Sequence, residues 1–206
     1  TTQGNLTAMG YSALAANTTG DSNTAVGYLA LTANTTGSAN TAVGLSALDA
    51  NTTGGSNTAV GAGALGAHTG GNRNTAVGKN SLATSTTGAD NVAIGFDAMN
   101  DVTTGHSNVA IGNYSMDALT TGDSNVAVGH QALGVNTANN NTALGYAALK
   151  LNSTGTANTA VGQNAMATNT TGASNTAVGL NALTANTTAN YGTAVGRSAL
   201  GSNTTG

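Results

Sequence analysis

Asn23-Thr24-Ala25-Val26-Gly27 returns as Asn40-Thr41-Ala42-Val43-Gly44 and again as Asn57-Thr58-Ala59-Val60-Gly61, each time 17 residues on. A period of this length marks a repeat architecture, in which one unit buries nothing until it stacks on its neighbours. Numbered from that Asn, the repeat reads N-T-A-V-G-x-x-A-L-x-x-N-T-T-G-x-x. Twelve copies follow one another, starting near 6, 23, 40, 57, 74, 91, 108, 125, 141, 158, 175 and 192. The copy from Asn125 is one residue short and reads Asn136-Thr137-Ala138-Asn139-Asn140 where its neighbours read N-T-T-G-x-x. Its Val126, Val128 and Leu133 are intact, so stacking is expected to continue through it.

The constant positions give the fold. Position 5 is Gly in all twelve copies, from Gly10 to Gly196, and position 9 is Leu or Met, from Leu14 to Leu200. Position 4 is aliphatic or Met throughout, and position 8 is Ala except at Ser81 and Ser115. Thr24-Ala25-Val26 alternates faces as a short strand does. Gly27 permits a turn at positive φ, Ala30-Leu31 begins a second extended piece, and Asn34-Thr35-Thr36-Gly37 closes the coil with turn residues. The reading is all-β: a single-stack parallel β-solenoid, or β-roll, of about twelve 17-residue rungs, forming one domain over residues 1–206. Stacked rungs align like on like and let Asn side chains bond to each other along the axis. At about 4.8 Å per rung the stack spans roughly 58 Å. Disorder does not explain an apolar residue at positions 4 and 9 of every copy, and the recurring Gly breaks any helix.

Composition narrows the rest. The 206 residues include 30 Gly, no Pro, Cys or Trp, and only 5% charged residues. Such small side chains fill a thin core, not a wide one. Arg73, Lys79, Lys150 and Arg197 are too scattered to neutralise a row of phosphates, so no nucleic-acid partner is expected. No apolar run is long enough to span a bilayer, so no membrane insertion is expected. No signal peptide is visible.

Catalytic and cofactor chemistry is not expected. His68, His106 and His130 fall at positions 12, 16 and 6 of well-separated rungs and do not converge on a metal. The acids, Asp21, Asp49, Asp90, Asp97, Asp101, Asp117 and Asp123, are scattered as well. Gly78-Lys79-Asn80-Ser81 lacks the full phosphate-loop pattern. Asn17, Asn34, Asn51, Asn152, Asn169, Asn186 and Asn203 open N-x-Ser/Thr sequons, which read either as glycan acceptors or as a ladder of turn residues.

Position 3 is always Ala: Ala8, Ala25, Ala42, Ala59, Ala76, Ala93, Ala110, Ala127, Ala143, Ala160, Ala177 and Ala194. Something close restricts it, either the coil's own interior or a neighbouring chain. If Thr, Val and Leu fill the coil, the Ala file points outward and serves as an assembly stripe. Position 6, by contrast, accepts Tyr11, Leu45, Lys79, Phe96, Asn113, His130 and Arg197, and faces solvent or a partner.

Ser107-Asn108-Val109-Ala110-Ile111-Gly112-Asn113-Tyr114-Ser115 and Asp90-Asn91-Val92-Ala93-Ile94-Gly95 resemble the head repeats of trimeric autotransporter adhesins. The Asn-Thr-Ala-Val-Gly array also looks like those of phage and bacterial tail-fibre-like proteins. The resemblance implies a left-handed parallel β-roll. It implies three chains packed through small residues, and Val109 and Ile111 filling the coil around an outward Ala110. The period here is longer than in most adhesin heads, and no neck, stalk or anchor is present.

These readings lead to a non-enzymatic structural or adhesive fibre segment, extracellular, at a cell surface or on a virion. Its first partner is itself, as a homotrimer. Tyr11, Tyr28, Phe96, Tyr114 and Tyr146 are the candidate contacts for a surface receptor or glycan, since aromatics dominate recognition energetics. The terminal copies carry no caps, so the alternative is a self-assembling filament stacked end to end. Ice binding by a Thr ladder is a lesser alternative, because Thr35 and Thr36 are adjacent and turn only one hydroxyl outward.

Overall fold

A computed structural model describes residues 4–204. Every copy contributes one three-residue strand: β1 (Thr7–Met9), β2 (Thr24–Val26), β3 (Thr41–Val43), β4 (Thr58–Val60), β5 (Thr75–Val77), β6 (Val92–Ile94), β7 (Val109–Ile111), β8 (Val126–Val128), β9 (Thr142–Leu144), β10 (Thr159–Val161), β11 (Thr176–Val178) and β12 (Thr193–Val195). The fold is an all-β parallel solenoid, with no helix among the described residues. The chain divides into two compact units, Thr1–Thr104 and Gly105–Gly206.

Within the first unit, β1 to β6 pair consecutively and in parallel, each residue facing its counterpart: Ala25 on Ala42, Val26 on Val43. Within the second, β7 to β12 do the same. The short copy does not interrupt this. β8 pairs with β9 in register, Ala127 on Ala143, although the intervening segment has one residue fewer. Ala138 there takes the place of the usual Gly at position 15, and its carbonyl accepts the Asn125 side-chain amide as the Gly carbonyls do elsewhere. The missing residue is the exposed position 14, which holds nothing inside the coil.

The strand faces are the reverse of the expected assignment. Ala at position 3 is fully buried from Ala25 through Ala177, and Ala194 is nearly so; only Ala8, in the first rung, is exposed. Thr at position 2 and Val, Ile or Leu at position 4 lie on the outside, half-buried or exposed. Period-2 alternation links Thr24 to Val26 on one face but does not say which face is inside. Interior width decides it. The coil is closed by Leu31 and by the Asn side chains of positions 1 and 12, all fully buried, and the space left opposite them fits a methyl group. The Ala file is therefore core and not an assembly stripe, and the outward placement of Ala110 between inward Val109 and Ile111 is corrected.

The second extended piece expected at Ala30-Leu31 is also absent. Those residues lie in a run of turns, and Leu31 sits at φ 50°. The same left-handed backbone recurs at position 9 in every copy, from Leu14 to Leu200, and again at positions 7 and 17. Outside Gly it costs about 1–2 kcal/mol per residue. Stacking offsets the cost: the Leu31 amide donates to Ala47 O at 3.0 Å and the Leu48 amide to Ala64 O at 3.0 Å, so the turns bond rung to rung as the strands do. Gly at position 5 has a stricter role. Gly44 has φ +140°, and a β-carbon there would stand 2.5 Å from the Gly61 carbonyl oxygen.

Two outcomes follow. Ala110→Leu is expected to overpack the coil and lower stability by about 1–3 kcal/mol or more, while Asn113→Leu, on the exposed position 6, leaves the melting temperature nearly unchanged. Tyr191, at position 17, is 83% exposed with φ 60°. Tyr191→Asn is expected to stabilise the chain by about 1 kcal/mol, because Asn tolerates this backbone. Circular-dichroism melts check both, and equal melting temperatures for Ala110→Leu and Asn113→Leu contradict the first.

Candidate functional surfaces

Two files made mostly of Asn run through the coils. At position 1, the backbone amide of Asn40 donates to Asn23 Oδ1 at 2.9 Å, and Asn23 Nδ2 reaches the Gly37 carbonyl at 2.8 Å. At position 12, Asn34 Nδ2 donates to Asn17 Oδ1 and Asn51 Nδ2 to Asn34 Oδ1, both at 2.8 Å. The second unit repeats this: Asn152 to Asn136, Asn169 to Asn152 and Asn186 to Asn169, at 2.9, 2.7 and 2.8 Å. The axial ladders expected from the sequence are present. A third file stitches from outside: the position-13 hydroxyl donates to the next rung's carbonyl, as from Thr35 to Thr52 and from Thr170 to Thr187, both at 3.0 Å.

This geometry decides between the two readings of the sequons. Asn34, Asn51, Asn152, Asn169 and Asn186 are fully buried with their amide nitrogens engaged; Asn17 and Asn203, near the ends, are half-buried. A glycan cannot attach to an amide nitrogen inside the folded coil. The turn-ladder reading stands, and the acceptor reading is corrected for the buried five.

The first unit breaks its position-12 file with His68, Ser85 and Val102. His68 is fully buried, and its Nε2 takes over the Asn role by meeting the Gly71 carbonyl at 2.9 Å. Asn51 Oδ1 on the rung before and Ser85 Oγ on the rung after are buried without hydrogen-bond partners. Burial pushes the His68 imidazole below its usual range, only partly opposed by hydrogen bonding to the Gly71 and Ser85 backbone. His106 and His130 are exposed and lie elsewhere on the rung. Among the described residues no three His, Cys, Asp or Glu side chains gather into a metal-holding group.

Outside, the aromatic residues of positions 6 and 7 form short stacks. Tyr11 lies flat on Tyr28 at 5.2 Å between ring centres. In the second unit Tyr114 meets His130 edge-on at 5.7 Å, and His130 stacks on Tyr146 at 5.7 Å. Lys79 Nζ sits 5.8 Å from the Phe96 ring centre. Tyr11, Tyr28, Tyr114 and Tyr146 are exposed and Phe96 is half-buried. Arg73 and Asp90 pair across adjacent rungs in a two-pronged contact at 2.6 and 2.8 Å.

The sheet face is the surface that the sequence reading missed. Position 2 is Thr or Val and position 4 is Met, Val, Ile or Leu in every copy, so neither file carries a charge. Val77, Ile94, Ile111, Leu144 and Val178 are all exposed. The signal was available in the contrast between a position that accepts only Ala and one that accepts four aliphatic shapes: strict size limits belong inside the coil. No helix of the described residues is long and apolar enough to cross a membrane. No family model, curated protein or solved structure matches the chain.

His68 generates a pH dependence. An imidazole whose folded pKa lies below its unfolded value of about 6.5 contributes stability that is complete above about pH 6.5 and declines as the pH falls below it. Melts between about pH 7.5 and 5 are expected to show a loss that His68→Asn removes, since Asn restores the ladder without a titrating group. The same slope in both proteins contradicts this. Asn169→Ala, which strands Asn152 Oδ1 and leaves Asn186 Nδ2 only the Ala189 carbonyl, is expected to cost about 2–3 kcal/mol in a denaturant titration.

Proposed function

We propose that this chain is a non-enzymatic structural segment of an extracellular fibre, and that its Thr–Val sheet face packs against the same face of further copies, as a homotrimer. The uncharged aliphatic file at position 4, exposed at seven of its twelve residues and half-buried at the other five, carries the reading. Contiguous exposed apolar surface on a regular face marks an interaction site. A face made of the same two files on every rung suits a partner with the same period, and a second copy of this chain has it. Neither file offers a charge by which a different protein would be selected.

The solenoid architecture supports a spacer or display role. The side chains that stay constant from copy to copy serve stacking, and the residues that vary, at positions 6 and 7, lie mostly outside. The exposed Tyr11, Tyr28, Tyr114 and Tyr146 rings provide the contacts for a surface receptor or glycan. The Thr-ladder route to ice binding is weakened, because position-13 hydroxyls such as those of Thr35 and Thr170 are committed to carbonyls of the next rung.

Light scattering on the purified protein tests the assembly. The expected mass is three times the 19.6 kDa chain. Val60→Lys combined with Val161→Lys places one charge on the face of each unit and is expected to yield folded monomer, since burying an unpaired charge is unfavourable. Wild-type protein that stays monomeric at high concentration overturns the reading. Very large, heterogeneous species favour end-to-end filament growth instead.

A further inference from the structure

Position 6 of the first two rungs carries Tyr11 and Tyr28, 17 residues apart. The register of β1 on β2 sets one above the other. Gly27 N donates to Met9 O at 2.8 Å and Leu29 N to Tyr11 O at 2.9 Å, so the backbone is held on both sides of the pair. The rings stack with centres 5.2 Å apart and planes 14° from parallel. Both are open to solvent, Tyr11 at 68% and Tyr28 at 51% exposure. Among the described residues no other two tyrosines stand on each other in this way. Tyr114 and Tyr146 each contact His130, which lies on the rung between them, and Tyr191 occupies position 17.

The rest of the composition bears on one-electron chemistry. Cys and Trp are the side chains that most readily quench a tyrosyl radical, and the chain has neither. Of its four Met, Met99, Met116 and Met166 are fully buried. Met9 is exposed, but its oxidation adds an oxygen and gives the sulfoxide. A radical on either tyrosine therefore has the other ring as its partner.

We propose that Tyr11 and Tyr28 form an oxidative cross-linking site, converted to dityrosine by a haem peroxidase using hydrogen peroxide. Each phenol gives up one electron and one proton, leaving two phenoxyl radicals. A carbon–carbon bond forms between the ring carbons ortho to the two oxygens. The hydrogens on those carbons move as protons to the oxygens, and both rings regain aromaticity. Peroxide takes up the two electrons and two protons and leaves as two waters, so the chain loses two hydrogen atoms in all. The paired backbone makes the coupling intramolecular, and the exposed side chains rotate to bring the ortho carbons together. The product ties β1, whose three residues are all exposed, covalently to β2 in a chain that has no Cys for a disulfide.

Treatment of the dilute full-length chain with a haem peroxidase and hydrogen peroxide tests the assignment. Trypsin cuts after Arg73, Lys79, Lys150 and Arg197, so Tyr11 and Tyr28 fall in residues 1–73, Tyr114 and Tyr146 in 80–150, and Tyr191 in 151–197. The peptide 1–73 is expected to lose two hydrogen atoms and to gain dityrosine fluorescence, with a yield at least about tenfold above that of 80–150. The product keeps the mass of one chain on a denaturing gel. Tyr28→Phe preserves the stack and removes the link. His130→Tyr places a tyrosine against Tyr146 at position 6 of the adjacent rung, and gains the link in 80–150. Circular dichroism checks that both variants fold. The proposal is overturned if 1–73 keeps its hydrogens while free tyrosine in the same reaction couples. Equal yields in the two peptides of the unmodified sequence, links only between chains, or a folded His130→Tyr that gains no link overturn it as well.

Discussion

In this solenoid each residue stacks on its own counterpart one rung away. Parallel, in-register pairing puts Ala42 between Ala25 and Ala59, and Val43 between Val26 and Val60. Every choice is therefore made several times over. A side chain that tolerates its own copy at about 4.8 Å is rewarded along the whole unit, and one that does not is penalised there. Asn meets this condition because its amide is both donor and acceptor: Asn34 gives to Asn17 and receives from Asn51. A charged residue does not, which accounts for the 5% charged composition. Where charges do fall on adjacent rungs of one file, they are of opposite sign, as in Arg73 and Asp90.

The same constraint explains a backbone that would be untenable in isolation. Left-handed residues at positions 7, 9 and 17 of each rung add up to a large strain over six rungs. None of it is offset by local preference, since Leu is among the residues least suited to positive φ. What sustains it is the neighbouring rung, which accepts the amides of Leu31, Leu48, Leu65, Leu82, Leu133 and Leu149 at position 9 while their side chains are completely buried. Strain in each turn and stacking between turns are thus one cooperative quantity. Repeat arrays gain stability from nearest-neighbour interfaces in this way.

This bears on how much could be read in advance. The period, the rung, the positive φ of Gly27 and the Asn ladders were legible, because each rests on a local residue property repeated at fixed spacing. The turn at Ala30-Leu31 was not. Local propensity places Leu in extended or helical backbone, and only contact with the next rung overrides it. The inside-outside assignment failed for a different reason. Alternation relates Thr24 to Val26 without orienting either, and the apolar residue was presumed inward when a methyl group was all the coil could admit. The division between Thr104 and Gly105 leaves no trace in the repeat, which crosses it with the period unchanged. Among the surface sites, the aromatic residues were placed correctly outside.

A lattice that forces repetition inside leaves individuality to the outside, and the departures from consensus follow that rule. Where the interior file at position 12 is broken, at His68 and Ser85, the cost is visible as buried polar atoms without partners. Where an exterior position is lost, as in the copy from Asn125, the register passes through intact. Exterior files can therefore change one rung at a time without disturbing the stack. Tyr114, His130 and Tyr146 assemble a three-ring cluster in this way. A surface built of such independent increments suits recognition that varies along an unvarying core. It also means that a surface feature on this chain is defined by runs of two or three rungs rather than by any single copy of the repeat.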